Sequence, residues 1–491
     1  MNRPSELTAV EARRRIGAKQ LSPVDLLESC IEQIEAVDPA VNAMVIRAYE
    51  RARAEAKAAE AAIMRGDELG PLHGLPVAIK DIQTTEGIRT TYGSKFFENN
   101  IPTADDDIVA TIRAAGGIVI GKTNIPEMSI GANTVNRLFG ATGNPFDVSR
   151  TCGGSSGGAA AAIATNMVPL ATGSDHGGSL RIPACYCGVV GYRPTPGVVP
   201  AEKRSLTQTF YSVQGPVART VEDAALLLSV ISQRRNRLDP MAFPLDAAEL
   251  GKLEQIDVSK LRIAVSADLG GVMVSDSSRR IFKERVARLS SYPAKVEWCD
   301  IDLRDAPTVD WHLRSDVFVA HYHRDIDSYD KGFNPNIRRS YNAALEMPME
   351  AIAKARRRQM ELFQSFQAVF DDFDLLICPG TSVSPFPWKD LYPREVDGKP
   401  VDNYMAWLGL TASITVVGHP VVALPCGLDE FGLPFGIQVI GPNYGDRRLL
   451  SAARALEAVF ASDAKLARPI PDFSALKTTQ SDCRTEGVKV H

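Results

Sequence analysis

Short apolar runs alternate with helical segments through most of this chain of 491 residues. Four of the runs, PVAI, GGIVIG, VPLATG and GVVGY, have the length and composition of buried strands. The segments between them include IVATIRAAG (108–116) and AAAAIATN (159–166). Strands that alternate with helices are typical of a parallel sheet whose crossover helices lie on its faces. The sequence therefore predicts an α/β fold with a large mixed, mainly parallel twisted β-sheet that helices cover on both faces.

Residues 1–65 are predicted to form helices that precede the alternating part. Ser22 and Pro23 make a helix start, because serine caps free N–H groups and proline tolerates the first helical position. A second helix is predicted from Tyr49 to Met64, ending near Gly66. The run after Pro23, VDLLESCIEQIEAV, places four apolar residues on one helix face: Leu26, Leu27, Ile31 and Ile34.

No linker or internal repeat divides the chain, so the sequence predicts a single domain over residues 1–475 and a tail over 476–491. The tail, ALKTTQSDCRTEGVKVH after Ser474, is expected to be frayed. The expected parts of the domain, in order, are N-terminal helices (1–65), a core that carries the chemistry (68–232), a variable segment that could cap a substrate site (234–374), and the C-terminal part of the sheet with its helices (375–470).

Composition excludes several classes of protein. A net charge of −4 offers no basic surface of the kind that binds nucleic acid, so no such partner is expected. No apolar run approaches the roughly 18 residues of a membrane span, and the start MNRPSELTAVEARRR lacks the apolar core of a signal peptide. The eight cysteines are scattered without paired CxxC motifs, which argues against a zinc site. We expect a cytoplasmic protein with no membrane partner.

The stretch TCGGSSGGAAAAIA (151–164) surrounds Ser155 and Ser156 with four glycines. A flexible linker is one interpretation, but the stretch is short and runs directly into alanines that favour a helix. A phosphate-binding loop is another, since glycine N–H groups at a helix start bind anions. No GxGxxG or following lysine supports it here. A GxxxxGK[ST] match elsewhere, from Gly116 to Thr123, has the apolar interior of a strand.

The same stretch matches G-x-S-x-G, in which an α/β-hydrolase presents its nucleophilic serine on a sharp turn. Ser155 would then be the nucleophile, with Asp374 as a candidate acid and His419 as a candidate base. A glycine- and serine-rich segment meets this short pattern easily. Other residues must therefore decide between the interpretations.

A second glycine-rich turn, ATGSDHGGSLRIPA (171–184), follows soon after the first. Attack on a carbonyl needs a nucleophile and N–H donors for the oxyanion. Ser179 could be the nucleophile, and the N–H groups from His176 to Ser179 could be the donors. Two glycine–serine turns of this kind predict that two serines meet in space.

Lys80 ends the apolar run of GLPVAIKDI (74–82), a place that lysine usually avoids. Burial disfavours a charged amine and lowers its pKa, so a buried Lys80 could serve as the base that a serine nucleophile needs. Considered alone, the lysine has a more ordinary interpretation. It would reach solvent at the strand end or pair with Asp81.

GLPVAIKD, GGSSGG and GSDHGGSLRIPA occur in an order and at a spacing that resemble the amidase signature family. The likeness covers roughly Ser22 to Phe460 and is thin between residues 234 and 374. It implies the amidase signature fold and hydrolysis of carboxylic amides. Four further blocks carry it: GKTNIPEMSIGANT (121–134), CGVVGYRPTPG (187–197), GPVARTVEDAALLL (215–228) and PVVALPCGLDEFGLPFGIQVIGP (420–442).

The resemblance implies a Ser–cis-Ser–Lys triad in which Ser179 is the nucleophile that forms the acyl-enzyme. Ser155 bridges the triad through an expected cis peptide bond, and neutral Lys80 takes the nucleophile's proton through Ser155. The proton returns to the leaving amine and water then releases the acyl group, so neither a metal nor an organic cofactor is expected. Four backbone N–H groups are expected to form the oxyanion hole: His176, Gly177, Gly178 and Ser179.

Three neighbours are expected to support the triad. Asp175 and Arg181 flank the Ser179 turn, where a charge pair would hold it in shape; an incidental surface pair is the alternative. Ser156 is expected to cap the following helix, with a direct hydrogen bond to the triad as the alternative. The His176 imidazole either contacts the acyl group or packs behind the turn, and packing is slightly favoured.

The leading function is hydrolysis of a linear carboxylic amide, a small molecule, with esters or carbamates as side substrates. One alternative is the amidase subunit of a tRNA-dependent amidotransferase, which feeds ammonia to a partner protein. A second is an α/β-hydrolase esterase that uses Ser155 and His419. A homodimer is an expectation from the family alone. Six aromatic residues could line a substrate pocket or belong to the core: Phe210, Tyr211, Trp311, Tyr322, Tyr341 and Trp407.

Overall fold

The computed structural model describes residues 3–206, 208–232, 238–242, 246–323, 335–401 and 404–484. None of the helices within these ranges is long and apolar enough to cross a membrane. The α-helices in these ranges, α1 to α16 in chain order, are Ala9–Gly17, Pro23–Val41, Tyr49–Arg65, Asp107–Ala114, Gly157–Ala164, Arg181–Cys187, Val221–Ile231, Ala247–Leu250, Asp276–Leu289, Ala306–Tyr322, Pro335–Leu345, Met349–Gln367, Val369–Asp372, Gly409–Val417, Asp446–Ala461 and Phe473–Thr478.

One sheet of eleven strands dominates the described part of the chain, in the order β1-β3-β2-β8-β10-β9-β16-β17-β13-β11-β12. The remaining strands pair as β4-β5, β6-β7 and β14-β15. The strands, β1 to β17 in chain order, are Met44–Arg47, Pro76–Lys80, Ile118–Thr123, Val135–Asn136, Gly140–Ala141, Gly143–Asn144, Asp147–Thr151, Leu170–Asp175, Val190–Arg193, Val213–Ala218, Arg262–Val265, Lys295–Trp298, Leu375–Pro379, Glu395–Val396, Lys399–Pro400, Val421–Leu428 and Pro434–Ile440.

The predicted N-terminal helices are confirmed. Ser22 Oγ accepts the N–H of Val24 at 3.0 Å and caps α2, whose first residue is Pro23. Helix α3 ends at Arg65 and is followed by Gly66, which has a φ of 81°. Strand β1, between these helices, was not expected. It pairs antiparallel with β3 and forms one edge of the sheet.

The large mixed sheet is confirmed, and all residues of its strands β2, β3, β13 and β17 are buried. Both faces are therefore covered at these strands. The pairing is less parallel than predicted: four neighbouring pairs are parallel and six are antiparallel. Strands β8 and β9 run in the same direction on either side of α6, as expected. However, β10 inserts between them in the opposite direction, which an apolar run alone does not reveal.

The segment 234–374 belongs to the same body in its described parts. Strands β11 and β12 extend the sheet in parallel beyond β13. Helices α10 and α12 pack with α14 around a second apolar cluster that includes Leu313, Leu362 and Ile414. The segment therefore completes one end of the sheet and supplies α10, which reaches the site described below.

The C-terminal segment is packed rather than frayed as far as residue 484. Helix α16 begins at Phe473 and is capped by the side chain of Asp472, and both Leu476 and Cys483 are buried. The carbonyl of Cys483 accepts the N–H of Ala141 at 2.7 Å. The predicted fraying after Ser474 is wrong over this range, because the anchoring contacts come from residues far away in the sequence. Residues 485–491 lie outside the described ranges.

Candidate active site

Lys80 is the last residue of β2 and is fully buried. Its Nζ donates to three hydroxyl oxygens: Ser155 Oγ at 2.7 Å, Ser174 Oγ at 2.8 Å and Ser156 Oγ at 2.9 Å. The carboxylate of Asp81 instead accepts hydrogen bonds from the backbone N–H and the hydroxyl of Thr91. Both ordinary interpretations of Lys80, a solvent-exposed amine and a pair with Asp81, are therefore wrong.

Burial lowers the pKa of Lys80 from 10.5 to about 7, although the charge of nearby Asp175 acts in the opposite direction. A substantial fraction of the amine is thus neutral at pH 7. A neutral amine has two N–H donors and one lone pair, so it can accept a proton from one hydroxyl while it donates to two others. This is what a general base requires, and the position at the buried end of β2 provides it.

The turn that carries Ser155 leads from β7 into α5. The peptide bond between Gly154 and Ser155 is cis, as the resemblance implied. A Cβ on Gly154 would lie 2.9 Å from backbone atoms of Gly131 and Ala132, and Gly153 has a φ of 79°. Glycine at position 154 therefore lets the turn pack tightly on the loop around residue 131, and glycine at position 153 permits the positive φ.

Ser156 does not cap α5, contrary to expectation, since no side-chain capping bond is present. Its Oγ accepts from Lys80, accepts the N–H of Ser174 at 3.3 Å and donates to the carbonyl of Ser174 at 3.3 Å. The alternative, a direct hydrogen bond to the lysine, is therefore correct. A buried amine without partners would cost more than an uncapped helix start, so the serine is better used at Lys80.

Two residues of β8 that contact Lys80 were missed from the sequence. Thr172 Oγ1 accepts the backbone N–H of Lys80 at 3.0 Å, and Ser174 Oγ accepts from its Nζ. The two residues are separated by one position and therefore share a face of the strand. The period of two in LATGSD is the signal that could have found them.

Ser179 lies between β8 and α6 and is partly exposed. The backbone N–H of Ser156 donates to the carbonyl of Ser179 at 3.2 Å. This bond ties the two glycine–serine turns together. The two turns are therefore in contact, and the meeting of the Ser155 and Ser179 side chains stays a prediction.

The side chain of Asp175 holds the Ser179 turn through ion pairs and hydrogen bonds. It is fully buried and pairs with Arg181 at 3.0 Å and with Arg193 at 3.0 Å. Burial alone would raise the pKa of Asp175, but the two guanidiniums outweigh it and hold the pKa well below its usual value. The ionised carboxylate also accepts the N–H groups of Gly178 at 2.8 Å and Leu180 at 3.2 Å. The surface-pair alternative is wrong, and Arg193, at the end of the apolar run VGYR, was missed.

The hydrogen bond between Gly178 and Asp175 changes the expected oxyanion hole. Because the N–H of Gly178 is donated to the Asp175 carboxylate, it is not available to a substrate oxygen in this arrangement. The N–H groups of His176, Gly177 and Ser179 remain as candidates from the predicted set.

The His176 imidazole packs beside the turn. Its ring stacks on Tyr211 with centroids 4.6 Å apart, and its Nδ1 lies 3.0 Å from Ser212 Oγ. Burial, with the charges of Arg314 and Arg193, holds the pKa of His176 well below its usual value. The imidazole is therefore neutral at pH 7, and these contacts favour the packing interpretation.

The GxxxxGK[ST] match is not a phosphate loop. Its interior forms strand β3, as expected. Lys122 is fully buried and its Nζ donates to the carbonyl of Gln83 and to Thr85 Oγ1. The lysine therefore holds the loop after β2 instead of facing a ligand.

Comparisons with known proteins find similarity to one family over most of the chain. The sequence pattern of the family described as Amidase matches residues 25–450. The chain belongs to the amidase signature family. An acylamidase from Rhodococcus erythropolis is 31% identical over 92% of this amidase and 95% of its own length. A glutamyl-tRNA(Gln) amidotransferase subunit from Streptomyces coelicolor is 34% identical over 93% and 96%. The crystal structure of a bacterial aryl acylamidase of the amidase signature family matches with a TM-score of 0.84 and 28% identity, covering 92% of this chain and 96% of the other.

In this amidase the alternative esterase triad is not assembled. His419 is buried, with Nδ1 2.8 Å from the carbonyl of Val417 and Nε2 2.8 Å from Gln367 Oε1. Burial lowers the pKa of His419 to about 4. Asp374 pairs with Arg448 at 3.1 Å. Both candidate partners are thus engaged elsewhere, while Ser155 is bonded to the lysine.

The aromatic residues of the amidase divide between core and site. Trp407, Tyr322 and Tyr341 are buried in apolar clusters, whereas Trp311 is 37% exposed. Tyr211 contacts the Ser179 turn through the ring of His176. Its hydroxyl and ring also contact side chains of α10.

Proposed function

We propose that this amidase hydrolyses a linear carboxylic amide through an acyl-enzyme on Ser179. The observation that carries the proposal is the buried Lys80, whose pKa is about 7 and whose Nζ lies 2.7 Å from Ser155 Oγ. The Ser155 turn is in turn bonded to the Ser179 turn. A buried amine bonded to Ser155, and a partly exposed serine on the turn in contact with it, support a mechanism of nucleophilic catalysis.

In the first half-reaction, Ser179 Oγ attacks the carbonyl carbon of the amide. The Ser179 proton passes to Ser155 Oγ as the Ser155 proton passes to neutral Lys80. The electron pair of the C=O bond moves to oxygen, and the N–H groups of His176, Gly177 and Ser179 stabilise that charge. Asp175 and its two arginines hold the turn, so the donors are oriented before the substrate arrives.

Collapse of the tetrahedral intermediate breaks the C–N bond. The leaving nitrogen takes a proton from Ser155, which recovers one from Lys80. Water then attacks the ester on Ser179 and gives its proton to the same bridge. As the C–O bond to Ser179 breaks, Ser155 returns a proton to Ser179 Oγ and recovers one from Lys80, so the acid leaves and the starting state returns. Esters and carbamates form the same acyl intermediate and are expected side substrates.

The test compares the wild type with Ser179→Ala, Ser155→Ala and Lys80→Ala on a panel of aryl, alkyl and peptide-terminal amides. Each variant should lose about 1,000-fold or more in kcat, and mass spectrometry of quenched wild type should find the acyl group on Ser179. Ser149→Ala, at an exposed serine of β7, is the matched control. Wild-type rates in Ser179→Ala on every substrate would overturn the mechanism.

A second candidate is the amidase subunit of a tRNA-dependent amidotransferase. Relatives named as subunits of glutamyl-tRNA(Gln) amidotransferase, at 31% to 34% identity over most of the chain, favour it. In that role the amide nitrogen would leave as ammonia for a partner protein. Turnover of simple amides by the purified chain alone favours the hydrolase. Turnover that appears only with a partner favours the amidotransferase role.

A further inference from the structure

Helix α10 brings a guanidinium to the Ser179 turn. A Cβ built on Gly177 would lie 2.8 Å from Nη2 of Arg314, so the arginine packs directly on the backbone of the turn. The φ of Gly177 is not positive. Glycine at this position therefore leaves room for the guanidinium in its present place, and a side chain there would displace it.

Two residues hold the guanidinium in place. The carboxylate of Asp310, one turn earlier on α10, lies 3.2 Å from Nε and 2.9 Å from Nη2 of Arg314. Tyr211 donates its hydroxyl to Asp310 at 2.6 Å, and its ring centroid is 5.3 Å from the guanidinium carbon. These contacts occupy Nε and Nη2. Among the described residues, no hydrogen bond uses Nη1, so one edge of the rigid fork remains available.

Arg314 is also close to the loop that supports the Ser155 turn. Burial raises the pKa of the Tyr404 hydroxyl, and the charge of Arg314 acts on it in the opposite direction. Tyr404 Oη accepts the N–H of Ala132, whose carbonyl carbon would lie 2.9 Å from a Cβ on Gly154. The charge of Arg314 therefore acts on the loop that supports the Ser155 turn, and its side chain packs on the Ser179 turn.

The charged side chains packed around the Ser179 turn do not balance. Two carboxylates face three guanidiniums, so the sum is one positive charge before Lys80 is counted. The guanidinium and carboxylate side chains are between 0% and 12% exposed, so water screens them weakly. The five side chains are Asp175, Arg181, Arg193, Asp310 and Arg314.

We propose that Arg314 selects amides that carry an anionic group, such as a carboxylate, close to the scissile carbonyl. This inference rests on the proposed function and names its substrate class. The Nη1 edge donates to the anion in a charge-assisted hydrogen bond. The excess positive charge favours the same substrates and disfavours cationic amides. In the competing role, Arg314 only fastens α10 to the turn, and substrate charge makes no difference.

The test uses two matched pairs of amides. Succinyl-4-nitroanilide against butyryl-4-nitroanilide varies charge on the acyl side, and 4-butyramidobenzoate against butyranilide varies it on the amine side. In the wild type, kcat/KM for the charged member of at least one pair should be about tenfold higher. Arg314→Gln should bring that ratio close to one, mainly through loss on the charged amide. Arg304→Gln, at an exposed ion pair with Asp302, should keep the wild-type ratio.

Ratios near one in the wild type, or a ratio that Arg314→Gln leaves unchanged, would overturn the inference. Because Arg314→Gln leaves Asp310 buried without its partner, the double variant Asp310→Asn/Arg314→Gln is measured alongside and should also show no preference. Arg314→Lys keeps the charge without the fork and should retain part of the preference.

A binding measurement separates this inference from the proposed function. Calorimetric titration of Ser179→Ala with the same four amides reports selectivity without turnover. If the wild type hydrolyses none of them, the proposed function fails, and the binding ratio still decides whether Arg314 selects anions. If neutral and charged amides are hydrolysed and bound alike, only the selection by Arg314 fails.

Discussion

At the scale of single residues, Lys80 connects burial with chemistry. It accepts a proton only when neutral, and burial lowers its pKa to about 7. We expect kcat/KM to fall about tenfold for each pH unit below 7 and to level off above it, because the neutral fraction decreases as pH falls through the pKa. The measurement is a pH–rate profile of the wild type from acid to mildly alkaline pH. A rate that stays flat from neutral into acid would exclude Lys80 as the base.

The same pKa has a consequence for stability. An unfolded lysine titrates near 10.5, so between pH 7 and that value the unfolded chain binds a proton that folded Lys80 does not, and stability rises with pH. Lys80→Met removes the buried amine at similar volume. We expect the variant to be inactive but about 1–3 kcal/mol more stable at pH 7.

The gain from Lys80→Met should shrink as the pH rises towards the pKa of the unfolded lysine, because removing the proton of Lys80 on folding then costs less free energy. Denaturant titrations of both proteins at neutral and alkaline pH measure the difference. If the variant is less stable than the wild type at pH 7, the prediction is wrong. The hydrogen bonds from Lys80 to the three serine hydroxyls would then stabilise the fold by more than the burial of the amine destabilises it.

At the scale of elements, close packing of α5 positions the serine turn. A Cβ on Gly158 would overlap the backbone nitrogen of Asn124 and lie 2.8 Å from the carbonyl oxygen of Ala43. Gly158→Ala should push α5, and with it Ser155, away from the lysine. We expect a loss of about 1–3 kcal/mol in unfolding free energy and a lower kcat.

Gly17→Ala is the matched control for Gly158→Ala. Gly17 ends α1 on the surface, where a Cβ would meet only the flexible side chain of Arg13 at 3.0 Å. Alanine there should leave kcat unchanged and stability equal or slightly higher. Chemical denaturation and kcat are measured on both variants. Wild-type stability and rate in Gly158→Ala would show that the turn does not depend on this contact.

How far the sequence predicts these elements depends on whether the signal is local. The cap at Ser22, the helix end at Gly66 and the buried run that ends in Lys80 are local patterns, and the structure contains all three. Ser174 and Arg193 were missed because their roles depend on which strands become neighbours. Strand β8 lies between β2 and β10, and β10 lies beside β9. No periodicity within one strand specifies that order.

At the scale of the whole molecule, one sheet joins the lysine and serine motifs to the weakly patterned segment. Strands β11 and β12 continue the sheet that contains β2, and α10 reaches from that segment to the Ser179 turn. This continuity supports the single domain that we propose over residues 1–475. Because α10 contacts the site, changes in the segment that resembles the family least can alter substrate choice without altering the triad.

The C-terminal segment contacts residues that support the strand before the Ser155 turn. Arg484 pairs at 2.9 Å with Asp38, which is fully buried and also pairs with Arg47 at 3.1 Å. The sulfur of Cys483 would lie 3.0 Å from a Cβ on Gly143. Gly143 is in β6, which pairs with β7, the strand that leads into the turn of Ser155. The last described residues are therefore connected to the site through one hairpin.

Truncation after Asp472 tests this connection. It exposes the surfaces that Leu476 and Cys483 cover and removes one of the two arginine partners of Asp38. We therefore expect a loss of about 2–4 kcal/mol in unfolding free energy and a larger effect on kcat than on KM, because β7 loses support. Lys389→Ala, which breaks an exposed ion pair with the same segment, should change stability by less than about 0.5 kcal/mol. Thermal unfolding and steady-state kinetics measure both. A truncated protein with the melting temperature and kcat of the wild type would contradict this prediction. It would mean that the C-terminal segment does not stabilise the hairpin of β6 and β7.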